Sequence, residues 1–404
     1  MSNNPLHQTI THAYANSALF RKRMDEAGIQ PIDIQERGDL SQIPVLSKDE
    51  VIAIQQADSP FGGMLAVPME EVRHIFFSPG PLYEPEGGPD DNPLLGQNAQ
   101  AVLRQIGFGP GDIVINCLSY HLVPAGLHLD QALTALGCTV LPAGVGNSDL
   151  QLKMMADFGV TGFVGTPSYL MSLIDKAEEG GGAFNDRYRL EKALVSAEPL
   201  PPPLRQRLVE GYGLTIGNAY ATAELGILAL NLDGGLPMKL LQHPIVELVD
   251  NETGQPVGPG EAGEVVVTNF SRAYPLIRLG TGDLAVNVDP NPGGSKQEER
   301  MIILVGRVGD AVKVRGMFVH PNQLFFAARQ VPGVKAVQGI VTRPETRDQF
   351  TVRVVLEEGT ELAAVEGPLK EAVRGACRVS VDAVEVGQIP GDARGMVDGR
   401  DWTG

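Results

Sequence analysis

Only three cysteines and one tryptophan occur in the 404 residues, and aromatic residues make up 5% of the chain. Cys117, Cys138 and Cys377 lie far apart, with no Cys-x-x-Cys pair and no Cys/His cluster. Neither a disulfide framework nor a structural zinc site is therefore expected. Positive charge is also scarce: 32 Lys and Arg against 49 Asp and Glu leave a formal net charge of −17. That balance argues against a broad nucleic-acid surface, so an anionic ligand must be held locally by backbone N–H groups, a few cations or a metal ion. No apolar stretch approaches the roughly 18 residues that a membrane helix needs. Met1 to Thr11 is polar and lacks the basic-then-apolar order of a signal peptide, so a cytoplasmic protein is expected. No Gly-x-Gly-x-x-Gly follows a strand at a helix start, which argues against a dinucleotide-binding oxidoreductase.

The remaining composition, 43% hydrophobic and 20% charged, is that of a folded globular protein. Its length exceeds what one hydrophobic core usually supports, so two or more domains are expected. The first sixty residues read as helices, and Ser47-Lys-Asp-Glu50 before an apolar run is a capping box. Between about 100 and 230, apolar runs at 112–117, 138–141, 160–164 and 193–196 alternate with amphipathic helical patterns at 127–136, 150–158 and 169–178. This βαβ rhythm predicts an α/β fold with a mostly parallel sheet. From about 240 the rhythm changes to strands at 263–268, 284–288 and 301–305, an antiparallel β subdomain, with a Pro/Gly-rich loop at 289–295. The tail has helices at about 321–330 and 362–377 and strands at about 334–341 and 349–356, the pattern of a small α+β domain. The predicted division is 1–308 and 309–404.

Three segments could carry chemistry. In Gly217-Asn-Ala-Tyr220-Ala-Thr222-Ala-Glu224, read as a loop after an apolar strand, an aromatic and a carboxylate four residues apart could stack a base and ligate Mg²⁺. The plainer alternative is an exposed Glu at a helix start. In Arg278-Leu-Gly-Thr281-Gly282-Asp283 the glycines permit a tight turn, and its Asp could hold a ribose diol or merely cap a hairpin. In Gly306-Arg307-Val-Gly309-Asp310-Ala-Val-Lys313-Val-Arg315-Gly316, Gly309 sits where the composition shifts and could be a hinge or a simple interdomain turn.

Taken together with Pro110-Gly-Asp112, Gly137-Cys-Thr-Val-Leu-Pro-Ala143, Gly165-Thr-Pro-Ser-Tyr-Leu170 and Ser196-Ala-Glu-Pro199, these segments resemble the phenylacetate-CoA ligase family of adenylate-forming enzymes. Phe20-Arg-Lys, Ile43-Pro-Val-Leu-Ser-Lys48 and Val314-Arg-Gly316…Val319-His-Pro321 extend the resemblance over nearly the whole chain. It implies a large AMP-binding domain followed by a mobile C-terminal domain turning about Gly309. It also implies ATP, Mg²⁺ and coenzyme A as cofactors, a small carboxylic acid as substrate, and a homodimer. Tyr220, Ala221 and Thr222 would lie at the adenine, Glu224 would ligate Mg²⁺, and Asp283 with Arg307 would hold the ribose. Ser196, Ala197, Glu198 and Pro199 would line the adenine side. Tyr120, His121, Ala143 and Gly144 would border the acid pocket, although a packed histidine is an equal reading of His121.

The chain departs from the family in its polyphosphate half. Where relatives have a Ser/Thr/Gly loop with a lysine, it has Phe77-Ser78-Pro79-Gly80-Pro81-Leu82-Tyr83-Glu84-Pro85. Prolines remove N–H donors to phosphate, and Glu84 reverses a charge. At ~4 Å and an effective dielectric of about 20, that reversal amounts to several kcal/mol before solvent screening. Relatives also end on a Gly-Lys-Ala-x-Arg phrase, whereas Ile389-Pro-Gly-Asp392-Ala-Arg394 offers no lysine and none follows Lys370. Matching Gly391 to the family's glycine puts Asp392 at the lysine position, and a different gap puts Arg394 there. Arg394 is the expected catalytic cation if acids are adenylated, with a solvated turn residue as the plainer alternative. A guanidinium does not simply replace an ammonium. Ala223 stands where relatives carry a hydroxyl. Two functions follow as expectations: an ATP-dependent aryl- or acyl-CoA ligase, or a non-adenylating relative that binds nucleotide, acyl-CoA or a partner.

Overall fold

The computed structural model describes residues 4–78, 82–88, 90–291, 294–315, 317–344 and 348–400. The chain forms two compact units. The first comprises Met1–Val246, Val267–Leu279 and Lys296–Met301, and the second comprises Glu247–Val266, Gly280–Ser295 and Ile302–Gly404.

The first unit opens with helices α1 (Pro5–Asn16), α2 (Ala18–Glu26) and α3 (Lys48–Ala57). The Ser47 side chain accepts from the Glu50 amide while Glu50 accepts from the Ser47 amide, so the capping box read from sequence starts α3. A hairpin follows, β1 (His74–Ser78) and β2 (Leu82–Glu86), whose tip, Pro79 to Pro81, lies outside the described residues. Next come α4 (Pro93–Ile106), β3 (Ile113–Asn116), α5 (Ala125–Ala135), β4 (Thr139–Pro142), α6 (Ser148–Phe158), β5 (Gly162–Gly165), α7 (Pro167–Glu178) and β6 (Lys192–Val195). Strands β7 (Thr215–Thr222), β8 (Gly226–Asn231) and β9 (Met238–Leu240) complete this region.

Their spatial order is β9-β8-β7-β6-β5-β3-β4. The pairs from β7 through β4 are parallel, and β7-β8 and β8-β9 are antiparallel. Parallel strands covered by crossover helices read as short, continuously apolar runs, and β5 is buried along its whole length. A side chain at Gly162 would meet the Phe108 ring at 2.5 Å, so a glycine is required where β5 passes under that ring.

Within the second unit, β10 (Ala262–Thr268), β11 (Leu279–Val288) and β12 (Met301–Arg307) neighbour one another in that order. Beyond them lie α8 (Pro321–Arg329), β13 (Val334–Thr342), β14 (Gln349–Leu356), α9 (Leu362–Cys377), β15 (Ala383–Val386) and β16 (Met396–Asp398). These form a four-stranded sheet, β15-β14-β13-β16, with Leu324 of α8 and Leu369 and Val373 of α9 in one core with Val341, Phe350 and Val352.

Two local expectations are corrected. Residues 279–283 belong to β11 and are not a turn: the Thr281 hydroxyl donates to the Val265 carbonyl at 2.9 Å and ties the segment to β10. Tyr220 to Thr222 belong to β7, because Tyr220 pairs with Ala229 across the hairpin, so the expected loop shrinks to the turn Ala223–Leu225. Of the expected loop at 289–295, residues 292 and 293 lie outside the described residues, as does Gly316. The Asp289 side chain accepts from the Asn291 amide and the Ser295 hydroxyl, which closes that loop locally.

Candidate active site

A cavity of about 560 Å³ opens in the first unit between the β1–β2 hairpin, α4, α5 and the β7–β8 hairpin. Leu118, Leu129, Val164, Leu194 and Ile227 make its lining largely apolar. Its polar groups include Glu84 and Glu86 from β2, Asp91, His128 from α5, Ser196, Thr222 and Glu224.

The tight β7–β8 turn places Glu224. Gly226 has φ +72°, a left-handed conformation that a side chain strains, and this lets β8 begin two residues after Glu224. The Glu224 side chain is only 5% exposed, so it is not the solvated helix-start Glu of the plainer reading. Its Oε1 lies 2.7 Å from the Lys48 ammonium. Its Oε2 is buried without a hydrogen-bond partner, as is the Thr222 hydroxyl. A buried carboxylate oxygen with nothing to accept from costs free energy, and a ligand group or cation there would recover it.

Helix α3 also holds the hairpin that carries the altered loop. Gln55, 5% exposed, accepts from the Tyr83 amide and donates to the Tyr83 carbonyl at 2.8 Å and the Tyr274 hydroxyl at 2.9 Å. Burial pushes the Tyr274 phenol upward, and the negative charges of Glu84 and Glu224 raise it further. Tyr274 therefore stays a neutral hydroxyl beside two carboxylates. In the same lining, His128 Nε2 lies 2.5 Å from Glu86 Oε2. His74 Nδ1 lies 4.0 Å from the other oxygen. The Phe76 ring meets the His128 ring edge-on.

The sequence-expected residues separate into three groups. Ser196, Ala197, Ala221, Thr222 and Glu224 line the cavity. The Ser196 hydroxyl donates to the Ala219 carbonyl at 2.9 Å, and Ala197 holds a left-handed φ of +68° at the turn after β6. Glu198 and Pro199 are exposed outside it, with Glu198 accepting from the Ser168 amide at the start of α7. Tyr220 is buried in β7 and is not among the lining residues.

Tyr120, His121, Ala143 and Gly144, expected at the acid pocket, are not part of this lining either. The Tyr120 hydroxyl donates to Asp130 and accepts from Asn116, each at 2.8 Å. Burial and then the Asp130 carboxylate push its pKa up, so it is a structural neutral phenol here. His121 is exposed. Gly144 donates to the Asn116 carbonyl and accepts from Gln151, which fixes the turn after β4.

In the second unit, Arg307 donates to Asp283 Oδ1 at 2.8 Å. Gly282 has φ +73°, a left-handed conformation that a side chain would strain, and an added Cβ would lie 3.1 Å from Arg307 Nη2. The Gly282 amide donates to Glu264 Oε1. Gly309 lies in a short 3₁₀ turn, Val308–Asp310, with open space where a Cβ would go. Arg394 is exposed, and its carbonyl accepts from Gln338.

Burial raises the Glu264 pKa above its ordinary 4.5, helped by the Asp283 charge and opposed by the Gly282 N–H and Arg307. A carboxyl with a raised folded-state pKa binds more protons folded than unfolded, so it favours folding at low pH. That advantage is full below about 4.5 and is lost as pH rises through the raised value. The stability difference between Glu264→Gln and wild type is therefore expected to grow in the variant's favour from pH 4.5 to 7. Paired denaturant titrations check this, and a pH-independent difference refutes it.

Burial pushes the Cys117 and Cys377 thiols up to about 12, which removes them as nucleophiles. Among the described residues no cluster of three or more His, Cys, Asp or Glu could hold a metal, and no helix is long and apolar enough to cross a membrane.

The family description "AMP-binding enzyme" matches residues 95–271. A phenylacetate-coenzyme A ligase from Thermus thermophilus is 30% identical over 368 residues, covering 87% of this chain and 80% of that protein. The chain belongs to the phenylacetate-coenzyme A ligase family. The Escherichia coli phenylacetate-coenzyme A ligase is 28% identical over 405 residues, covering 95% of this chain and 90% of its own. In fold, the chain is similar to an open conformation of 2-hydroxyisobutyryl-CoA ligase, crystallised with 2-HIB-AMP and CoA. The TM-score is 0.82 at 23% identity, over 98% of this chain and 90% of that one. Family membership accounts for the mixed α/β architecture. His128 and Glu86 were missed, because nothing in their local sequence signals a pair 42 residues apart.

Proposed function

We propose that this chain is an ATP-dependent acid-CoA ligase acting on an aryl or acyl carboxylic acid. The observation that carries the reading is the placement of Glu224: a buried carboxylate with one oxygen lacking a partner, at the edge of a mostly apolar cavity. The apolar walls suit the body of the acid and the polar edge suits its reacting end. Glu224 Oε2 fits a hard divalent cation that takes one protein carboxylate and completes its shell with phosphate oxygens and water. When bound, Mg²⁺ would screen the charge of the polyphosphate.

In the proposed reaction the carboxylate oxygen of the acid bonds to the α-phosphorus of ATP as the bond to pyrophosphate breaks. The thiolate of coenzyme A then bonds to the acyl carbon and AMP leaves. Ser196, Ala197, Ala221 and Thr222 would frame the adenine, and Asp283 with Arg307 would take the ribose hydroxyls. Residues 309–404 would reorient about Gly309 between the two steps, and Arg394 would bring positive charge to the α-phosphate. A homodimer and a cytoplasmic location belong to the same reading.

Incubation with ATP, Mg²⁺, CoA and a panel of aryl and aliphatic acids tests it, with AMP and thioester followed by mass spectrometry. Equimolar AMP and acyl-CoA are expected for at least one acid. Arg394→Ala is expected to lower turnover by roughly tenfold or more, as loss of a preorganised cation does. AMP binding without turnover on any acid would favour the non-adenylating alternative, to which Glu84 and the missing terminal lysine lend support.

A further inference from the structure

Lys48 has no part in the roles assigned above. It is the first residue of α3, capped by Ser47, and its helix is fixed at the other end by the three hydrogen bonds of Gln55. Its ammonium lies 2.7 Å from Glu224 Oε1, with the two side chains 26% and 5% exposed. Glu224 Oε2 and the Thr222 hydroxyl, both buried and without partners, belong to residues of the cavity wall. Glu84 lines the same cavity from β2.

We infer that Lys48 is the cation that holds the β- and γ-phosphates of the nucleotide, an assignment that rests on the ligase reading. A polyphosphate placed beside Glu224 and Glu84 meets two like charges, and β2 contributes the Glu84 carboxylate where the family resemblance expects a lysine. Among the described residues, Lys48 is the ammonium that the fold pairs with Glu224. Its four-carbon stem, rooted on a fixed helix end, can swing between neighbouring acceptors without moving the backbone. In the nucleotide-free protein it neutralises Glu224. On polyphosphate binding it passes to the phosphate oxygens, leaving the Glu224 carboxylate for the divalent cation. No covalent bond is made or broken in this exchange, and AMP, lacking the two outer phosphates, draws no benefit from it.

Titration calorimetry with AMP, ATP and inorganic pyrophosphate, at constant Mg²⁺ and ionic strength, tests the assignment on wild type, Lys48→Met and Lys48→Arg. Lys48→Met is expected to weaken ATP and pyrophosphate by at least about tenfold while leaving AMP within about threefold, the size of one charge-assisted contact. Lys48→Arg is expected to restore most of the loss. An equal loss for AMP and ATP would make the ion pair with Glu224 merely structural, and unchanged ATP affinity would also overturn the assignment. Failure of wild type to bind AMP at all would overturn the nucleotide reading, and the role of Lys48 with it.

Discussion

Glu224→Gln is expected to reduce acid-dependent pyrophosphate exchange by roughly 10²–10³-fold, the range found when one preorganised charge at a reacting centre is lost. The substitution keeps the shape of the side chain and removes the charge that faces Lys48 and would face a divalent cation. AMP affinity is expected to change by only a few-fold, because adenine and ribose contacts are assigned to other residues. The effect should thus fall on exchange and its Mg²⁺ dependence, with little change in AMP binding. Exchange within a few-fold of wild type would remove Glu224 from the chemistry and reduce it to a buried partner of Lys48.

Arg278→Met is expected to be strongly destabilising, at about 3 kcal/mol or more. Arg278 is 1% exposed, and its guanidinium donates to the Ile43 carbonyl at 2.5 Å and the Ser41 carbonyl at 3.4 Å. Its backbone is bonded on both sides, the amide donating to Thr268 Oγ1 and the carbonyl accepting from the Leu46 amide. The side chain therefore fixes the segment leading into α3, the helix that carries Lys48 and Gln55. Methionine fills similar volume but leaves buried carbonyls without their donor. A fall in the denaturation midpoint is expected, with faster hydrogen exchange at Ile43 and Leu46. An unchanged midpoint would show that these carbonyls find other donors at no cost.

The βαβ rhythm was legible because each buried strand is a short apolar run and each crossover helix is amphipathic. The strands expected at 112–117 and 193–196 correspond to Ile113–Asn116 and Lys192–Val195. The second helix of the tail falls at Leu362–Cys377, as its periodicity indicated. Segments with mixed signals were misread. Glycines at 280 and 282 indicated a turn, yet side-chain and backbone bonds to the neighbouring strand hold this stretch in β11. The Tyr220 segment read as a loop, yet Tyr220 pairs with Ala229 across the hairpin and holds 220–222 in β7.

At the site, the Glu224 turn was legible because a Tyr followed by a Glu four residues later forms a local pattern. The Lys48–Glu224 and Glu86–His128 pairs were not, since each joins residues far apart in sequence through the packing of a helix end or strand. His121 was expected at the acid pocket from the family resemblance, whereas the histidine on the cavity wall is His128, presented by α5.

The central claim is that this chain still adenylates a carboxylic acid despite its altered phosphate loop and missing terminal lysine. Exchange of labelled pyrophosphate into ATP, measured with wild-type protein, Mg²⁺ and each acid of an aryl and aliphatic panel, tests it without involving coenzyme A. Label is expected to enter ATP only when a suitable acid is present, and to stop entering when Mg²⁺ is chelated. Protein that binds AMP yet gives no acid-dependent exchange with any member of the panel would contradict the claim.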